Sequence, residues 1–151
     1  MANEKHVLSS IRGWLLSCYG KSPLCVATLM GILAFVLPPK VFARDITPNE
    51  AASLIKDTNT RLCVVDVRTP KEYQEGHIPY AINRNVLDAN FPQMLQALDK
   101  SAPTLVYCRS GRRSKLAVTM MEQMGFSHIL HMKDGWIAWE KAQLPINHNE
   151  H

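Results

Sequence analysis

The segment Cys108-Arg109-Ser110-Gly111-Arg112-Arg113 gathers, within six residues, what is needed to ionise a thiol. A thiol is a poor nucleophile until it becomes a thiolate. Here the cysteine ends the apolar run Thr104-Leu105-Val106-Tyr107 and precedes an amphipathic stretch that starts at Ser114. A loop between a strand and a helix can turn several backbone N–H groups toward one anion. The helix adds roughly half a positive charge at that end. Three arginines in the loop add their field, and Gly111 lets the backbone turn tightly without a Cβ clash. Together these features would hold the Cys108 thiol well below its ordinary range and let the same cradle take an oxyanion beside the sulfur. Cys108 is therefore the candidate nucleophile. Arg109, Ser110, Gly111, Arg112 and Arg113 are the candidate substrate-binding residues. Asp66, Arg68 and Ser114 are candidate supporting residues, Asp66 and Arg68 chiefly as a pair tying a strand end to its loop.

The elements that must position this loop alternate along the chain. Thr47-Pro48-Asn49-Glu50 has a capping threonine, proline at the first helical position and glutamate three residues after the cap, which predicts a helix to about Lys56. Leu62 to Val67 is a near-continuous apolar run, as expected of a strand covered on both faces. Thr69-Pro70-Lys71-Glu72 repeats the capping pattern and opens a short helix ended by Gly76-His77-Ile78-Pro79. Ala81-Ile82-Asn83 reads as a short strand, Pro92–Leu98 as a helix, Ser114–Met124 as a helix stopped by Gly125, His128–Met132 as a strand and Gly135–Ala142 as a helix. Strands that alternate with helices predict an α/β fold, mainly a parallel sheet flanked by helices on both faces. Ligands of such sheets bind outside the carboxyl ends of the strands, where Cys108 falls. Trp136 and Trp139 are three apart on one helical face and read as core, as do Met120, Met121 and Met124. His77 reads as a turn-stabilising residue. No metal or cofactor is implied, because His148 and His151 are too sparse in a tail, residues 145–151, expected to be flexible.

The chain has 151 residues, 46% hydrophobic and 20% charged, which fits a globular protein and not a disordered one. Its net charge of +4 is uneven: residues 1–43 hold four basic side chains (Lys5, Arg12, Lys21, Lys40) against Glu4, leaving 13 basic and 12 acidic in 44–151. The basic balance therefore belongs mainly to the leader and gives no case for nucleic acid binding. Within residues 1–43 a basic segment precedes an apolar run from Leu24 to Leu37, then Pro38-Pro39 and Val41-Phe42-Ala43. That is the layout of a secretory signal peptide cut after Ala43. The run is about 14 residues, against the roughly 20 that a membrane-spanning helix needs. The alternative is a retained membrane anchor, and both place the domain, residues 44–144, outside the cytoplasm, in the periplasm or an equivalent compartment. Cys18 and Cys25 lie in the leader; Cys63 and Cys108 remain in the domain. A disulfide between these two is not expected, since both sit in runs that read as buried parallel strands, and Cys63 reads as a small buried hydrophobe.

Three motifs in order resemble the rhodanese family. Cys108 to Arg113 is similar to its six-residue active loop, Cys-Arg-x-Gly-x-Arg. Asp66-Val67-Arg68-Thr69-Pro70-Lys71-Glu72-Tyr73, with Gly76-His77-Ile78-Pro79 and Ala81-Ile82-Asn83, resembles its N-terminal signature. Gly125-Phe126 and Gly135-Trp136-Ile137-Ala138-Trp139 resemble its C-terminal one. Tyr80 stands where a glycine is usual, and Asp134 where the first glycine of a pair is usual. The exported single-domain layout is similar to periplasmic phage-shock rhodaneses. The resemblance implies the three-layer rhodanese-like fold and a thiosulfate sulfurtransferase. Cys108 would take sulfane sulfur from a thiosulfate-like anion and pass it to a thiol or cyanide. Arg113 would orient the loop and the bound anion, Arg109 and Arg112 would set the field at the pocket mouth, and the amides from Ser110 to Arg113 would hold the persulfide. Two alternatives stand beside this: a non-catalytic binding module on the same fold, and a cysteine phosphatase or arsenate reductase. The latter enzymes place five residues between cysteine and arginine to wrap a tetrahedral anion; here Cys108 and Arg113 have four.

Overall fold

A computed structural model describes residues 43–148. The leader reading before Ala43, with Cys18 and Cys25, and His151 at the other end lie outside the described residues. Among the described residues five strands form one sheet in the order β1-β5-β4-β2-β3: β1 (Arg44–Asp45), β2 (Cys63–Asp66), β3 (Ala81–Asn83), β4 (Thr104–Tyr107) and β5 (Ile129–His131). Every pairing is parallel. Between the strands run α1 (Pro48–Lys56), α2 (Pro70–Glu75), α3 (Phe91–Gln96) and α4 (Arg112–Gln123), with α5 (Gly135–Lys141) after β5.

Alternation along the strands divides the core in two. Leu105 and Tyr107 of β4 join Ala51 and Ala52 of α1 and Trp136 and Trp139 of α5 on one face. Val106 and Cys108 join Phe91 and Leu95 of α3 and Ala117, Val118 and Met121 of α4 on the other. This is the helix–sheet–helix sandwich expected of the apolar runs. Both predicted capping boxes form: Thr47 with Glu50 opens α1, and Thr69 with Glu72 opens α2.

Three details differ from expectation. β1 is unpredicted, because two residues carry no alternation; it forms by pairing with β5, Asp45 opposite His131. α4 starts at Arg112, two residues early, because Gly111 takes a left-handed φ of 86° and turns the chain straight into the helix. The tail is held as far as His148: His77 and Asn147 exchange backbone hydrogen bonds of 2.9 Å, and Trp139 Nε1 donates to the Pro145 carbonyl at 3.0 Å.

Candidate active site

The register puts the working residues along one edge of the sheet. Asp66 stands opposite Tyr107, and Val106 opposite His131, at the carboxyl ends of β2, β4 and β5. Cys108 follows Tyr107 directly and is 1% exposed. The Gly111 N–H points at its sulfur, 3.1 Å away. Burial pushes the Cys108 thiol up. Hydrogen bonds from the Ser114 hydroxyl and from the amides of Ser114, Ser110 and Arg113 outweigh it and hold the thiol below its ordinary value. The contrast with Cys63 is direct: that half-buried thiol is pushed up by burial, against a weaker pull from Arg84. Both cysteines are free. Cys63 lies opposite Thr104, four residues before Cys108, or about 13 Å along a strand, which rules out a bridge between them.

The loop is seated on α5. The Trp136 and Ile137 amides donate to the carbonyls of Cys108 and Arg109, at 2.8 and 3.1 Å. Gly135, at φ 65°, makes this approach possible, since a Cβ there would stand 2.6 Å from both carbonyl oxygens. A Cβ at Gly111 would collide with the Lys133 carbonyl. The two departures from the family pattern are accommodated differently. Asp134 has an ordinary right-handed backbone, φ −82°, so no glycine is needed there. Tyr80 takes the left-handed φ of 63° that suits glycine, with its side chain 79% exposed.

The arginines are not the cluster that the sequence suggested. Arg109 and Arg112 are exposed. Arg113 turns its fork to Glu72, with Nη1 2.8 Å from Oε2 and Nη2 2.7 Å from Oε1. The carboxylate and the Cys108 sulfur both favour its charge. Arg113 therefore orients the first turn of α4 through Glu72, and that fork is engaged by protein, not presented to an anion. Glu72 also accepts from the Thr69 N–H and hydroxyl, and the Arg113 guanidinium first of all holds its carboxyl down at about 2. Arg68 is buried against Asp66, with contacts of 2.7–3.1 Å, donates to the Gly76 carbonyl and lies 4.4 Å over the Trp136 ring. This pair ties β2 to the loop before α2. His77 likewise serves its turn, stacking on Tyr73 and contacting the Tyr73 carbonyl at 3.0 Å.

Ser114 is fully buried, with its hydroxyl 3.0 Å from the Gly111 carbonyl and 2.9 Å from His131 Nε2. His131 Nδ1 in turn lies 3.0 Å from Asp45 Oδ1. Sequence reasoning missed Asp45 and His131, and it took Glu72 only for a cap. The one available signal was His131, a titratable residue ending a buried strand at the ligand-binding edge.

A parallel sheet that delivers a hydrogen-bonded, ionisable thiol into a strand-to-helix loop of amides defines an α/β domain built around one cysteine. The profile of the rhodanese-like domain matches residues 47–142, and the chain belongs to that family. It is 33% identical over 102 residues to a sulfurtransferase of Allochromatium vinosum, covering 68% of this chain and 92% of that one. It is 30% identical over 79 residues to the thiosulfate sulfurtransferase GlpE of Pseudoalteromonas translucida, covering 52% and 73%. Among solved structures, a rhodanese-related protein of Thermoplasma volcanium superposes with a TM-score of 0.60 at 26% identity, over 69% of this chain and 97% of its own.

Proposed function

We propose that this domain moves sulfane sulfur from a thiosulfate-like donor to a thiophilic acceptor through a persulfide on Cys108. The observation that carries the proposal is the seat of the Cys108 sulfur, buried at the carboxyl end of β4 just before the first turn of α4, with the Gly111 N–H 3.1 Å away; the amides of Ser110, Arg113 and Ser114 help to hold its thiol below the ordinary value. In the first step the thiolate attacks the outer sulfur of the donor. A new S–S bond forms on Cys108, the donor S–S bond breaks, and sulfite leaves with the electron pair. In the second step a thiolate or cyanide attacks the outer sulfur of the persulfide, and Cys108 departs as thiolate. No net oxidation occurs and the protein is the covalent carrier. The amides that favour the thiolate serve both steps, as they stabilise the nucleophile and then the leaving group.

The purified protein should release sulfite from thiosulfate when cyanide is supplied. Cys108→Ser should abolish this, while Cys63→Ser retains most of it. Normal turnover by Cys108→Ser would contradict the proposal. The proposal extends to location: residues 1–43 act as an export leader that carries the domain out of the cytoplasm, with amino-terminal sequencing of the exported protein as the check.

A further inference from the structure

Arg68 is 2% exposed, yet part of its fork is uncommitted. Nε and Nη2 donate to Asp66, and Nη2 also donates to the Gly76 carbonyl. Nη1 has no hydrogen-bond partner among the described residues. It is not shut away either, since among them Arg84 Nε is the one enclosed side-chain polar atom without a partner. Nη1 is therefore reached through the cavity that Arg68 lines, a space of about 240 Å³ between α2 and α5. Arg109 lines it too, so the cavity borders the Cys108 loop one residue from the cysteine. The other end of the loop meets it through Glu72, which lines the cavity and grips Arg113. Trp136 completes this wall: Arg68 lies 4.4 Å over its ring, and its backbone N–H holds the Cys108 carbonyl at 2.8 Å.

The cavity carries both signs of charge. Glu72 is committed to Arg113 and Thr69. Glu75, Glu140 and Arg109 are exposed, line the cavity and form no ion pair among the described residues. The cavity thus presents a buried, pre-oriented cationic donor at Arg68, with Arg109 on the loop side, and two free carboxylates at Glu75 and Glu140. A donor already held in place binds a carboxylate without the cost of ordering a long side chain. An ammonium group suits the two glutamates. A small dianion such as thiosulfate has no cationic part, so Glu75 and Glu140 would repel it. A ligand with both charges uses both, and its apolar carbons would lie against Ile137, which is 49% exposed. The volume falls just below the roughly 300–1,000 Å³ of sites for drug-sized molecules, which fits a ligand of amino-acid size.

We propose that this cavity seats the acceptor: a thiol of amino-acid type, whose carboxylate meets Arg68 Nη1 and whose ammonium meets Glu75 and Glu140. Arg68 and the two glutamates are then specificity-determining residues for the second step. The inference rests on the sulfur-transfer proposal. In that step the occupant's thiolate attacks the outer sulfur of the Cys108 persulfide. A new S–S bond forms on the acceptor, the persulfide S–S bond breaks, and Cys108 keeps the electron pair as thiolate, with no net oxidation.

Two measurements on the full chain test it. The first is turnover at saturating thiosulfate with three thiols: cysteine, which carries both charges, 3-mercaptopropionate, with the carboxylate alone, and cysteamine, with the ammonium alone. Counted on thiolate, KM for cysteine should lie about tenfold or more below both others. Exchanging both free carboxylates, Glu75→Gln together with Glu140→Gln, should raise KM for cysteine about tenfold, at about threefold for each exposed pair. The same change should not raise KM for 3-mercaptopropionate, which loses a repulsion. The second measurement needs no sulfur transfer. S-methylcysteine, with both charges and no thiol, should move the ¹⁵N signals of the Arg68 guanidinium, and about tenfold more of it should be needed in the double variant. Arg68 is read in place, so its buried pair with Asp66 stays intact. Equal KM for the three thiols, an equal rise for all of them in the double variant, or Arg68 signals indifferent to S-methylcysteine would overturn the proposal. If S-methylcysteine bound as stated to a protein that transfers no sulfur even to cyanide, the site for a doubly charged ligand would stand and the sulfur-transfer reading would fall.

Discussion

Glu72 joins two motifs 41 residues apart in sequence, capping α2 through Thr69 and receiving the Arg113 fork from the first turn of α4. Replacing it with glutamine keeps an oxygen for the Thr69 amide and removes the charge that Arg113 faces. The carboxyl falls from 4.5 to about 2, which at about 1.4 kcal/mol per unit is a total of about 3 kcal/mol. The two side chains are 22% and 23% exposed, so solvent screens part of this, and Thr69 supplies part of what remains. Glu72→Gln should therefore cost about 1–2 kcal/mol at neutral pH, read by urea denaturation. The sign of the pH dependence follows from the lowered folded value. The Glu72 contribution is complete above 4.5 and is lost as pH falls toward 2. The difference in stability between wild type and Glu72→Gln should thus shrink across that window. Turnover should fall as well, because the pair anchors the helical turn whose amides surround Cys108. A variant as stable as wild type at neutral pH, with no convergence in acid, would refute the clamp.

Other positions give independent checks. Gly135→Ala should destabilise the domain by more than about 2 kcal/mol and cut sulfur transfer, since its methyl group would displace the Cys108 and Arg109 carbonyls; thermal melting and turnover measure both. Tyr80→Gly should raise stability by up to about 1 kcal/mol, because the exposed ring gives little packing in return for its left-handed backbone, whereas Tyr80→Ala should give no such gain. Denaturation midpoints distinguish the two.

What the sequence disclosed and what it withheld divide along sequence separation. The cysteine loop is contiguous, so its chemistry could be read from six neighbouring residues, and the two capping boxes span four residues each. β2 and β4 were legible because a strand buried on both faces is apolar at every position. β1 was not, since its two residues owe their conformation to β5. The arginines misled for the same reason. Three cations close to a cysteine suggested a field, but Glu72 claims Arg113 from another motif, while amides and the Ser114 hydroxyl hold the sulfur. The contact of Asp45 with His131, 86 residues away, exists only because strand order places β1 beside β5.

The most direct test of the central claim is the mass of the Cys108 peptide after the protein has met thiosulfate alone. One added sulfur atom on Cys108, removed by cyanide and absent from Cys63, is the predicted result. Sulfur on Cys63 instead, or an unchanged Cys108 in a protein that still turns over thiosulfate, would contradict it.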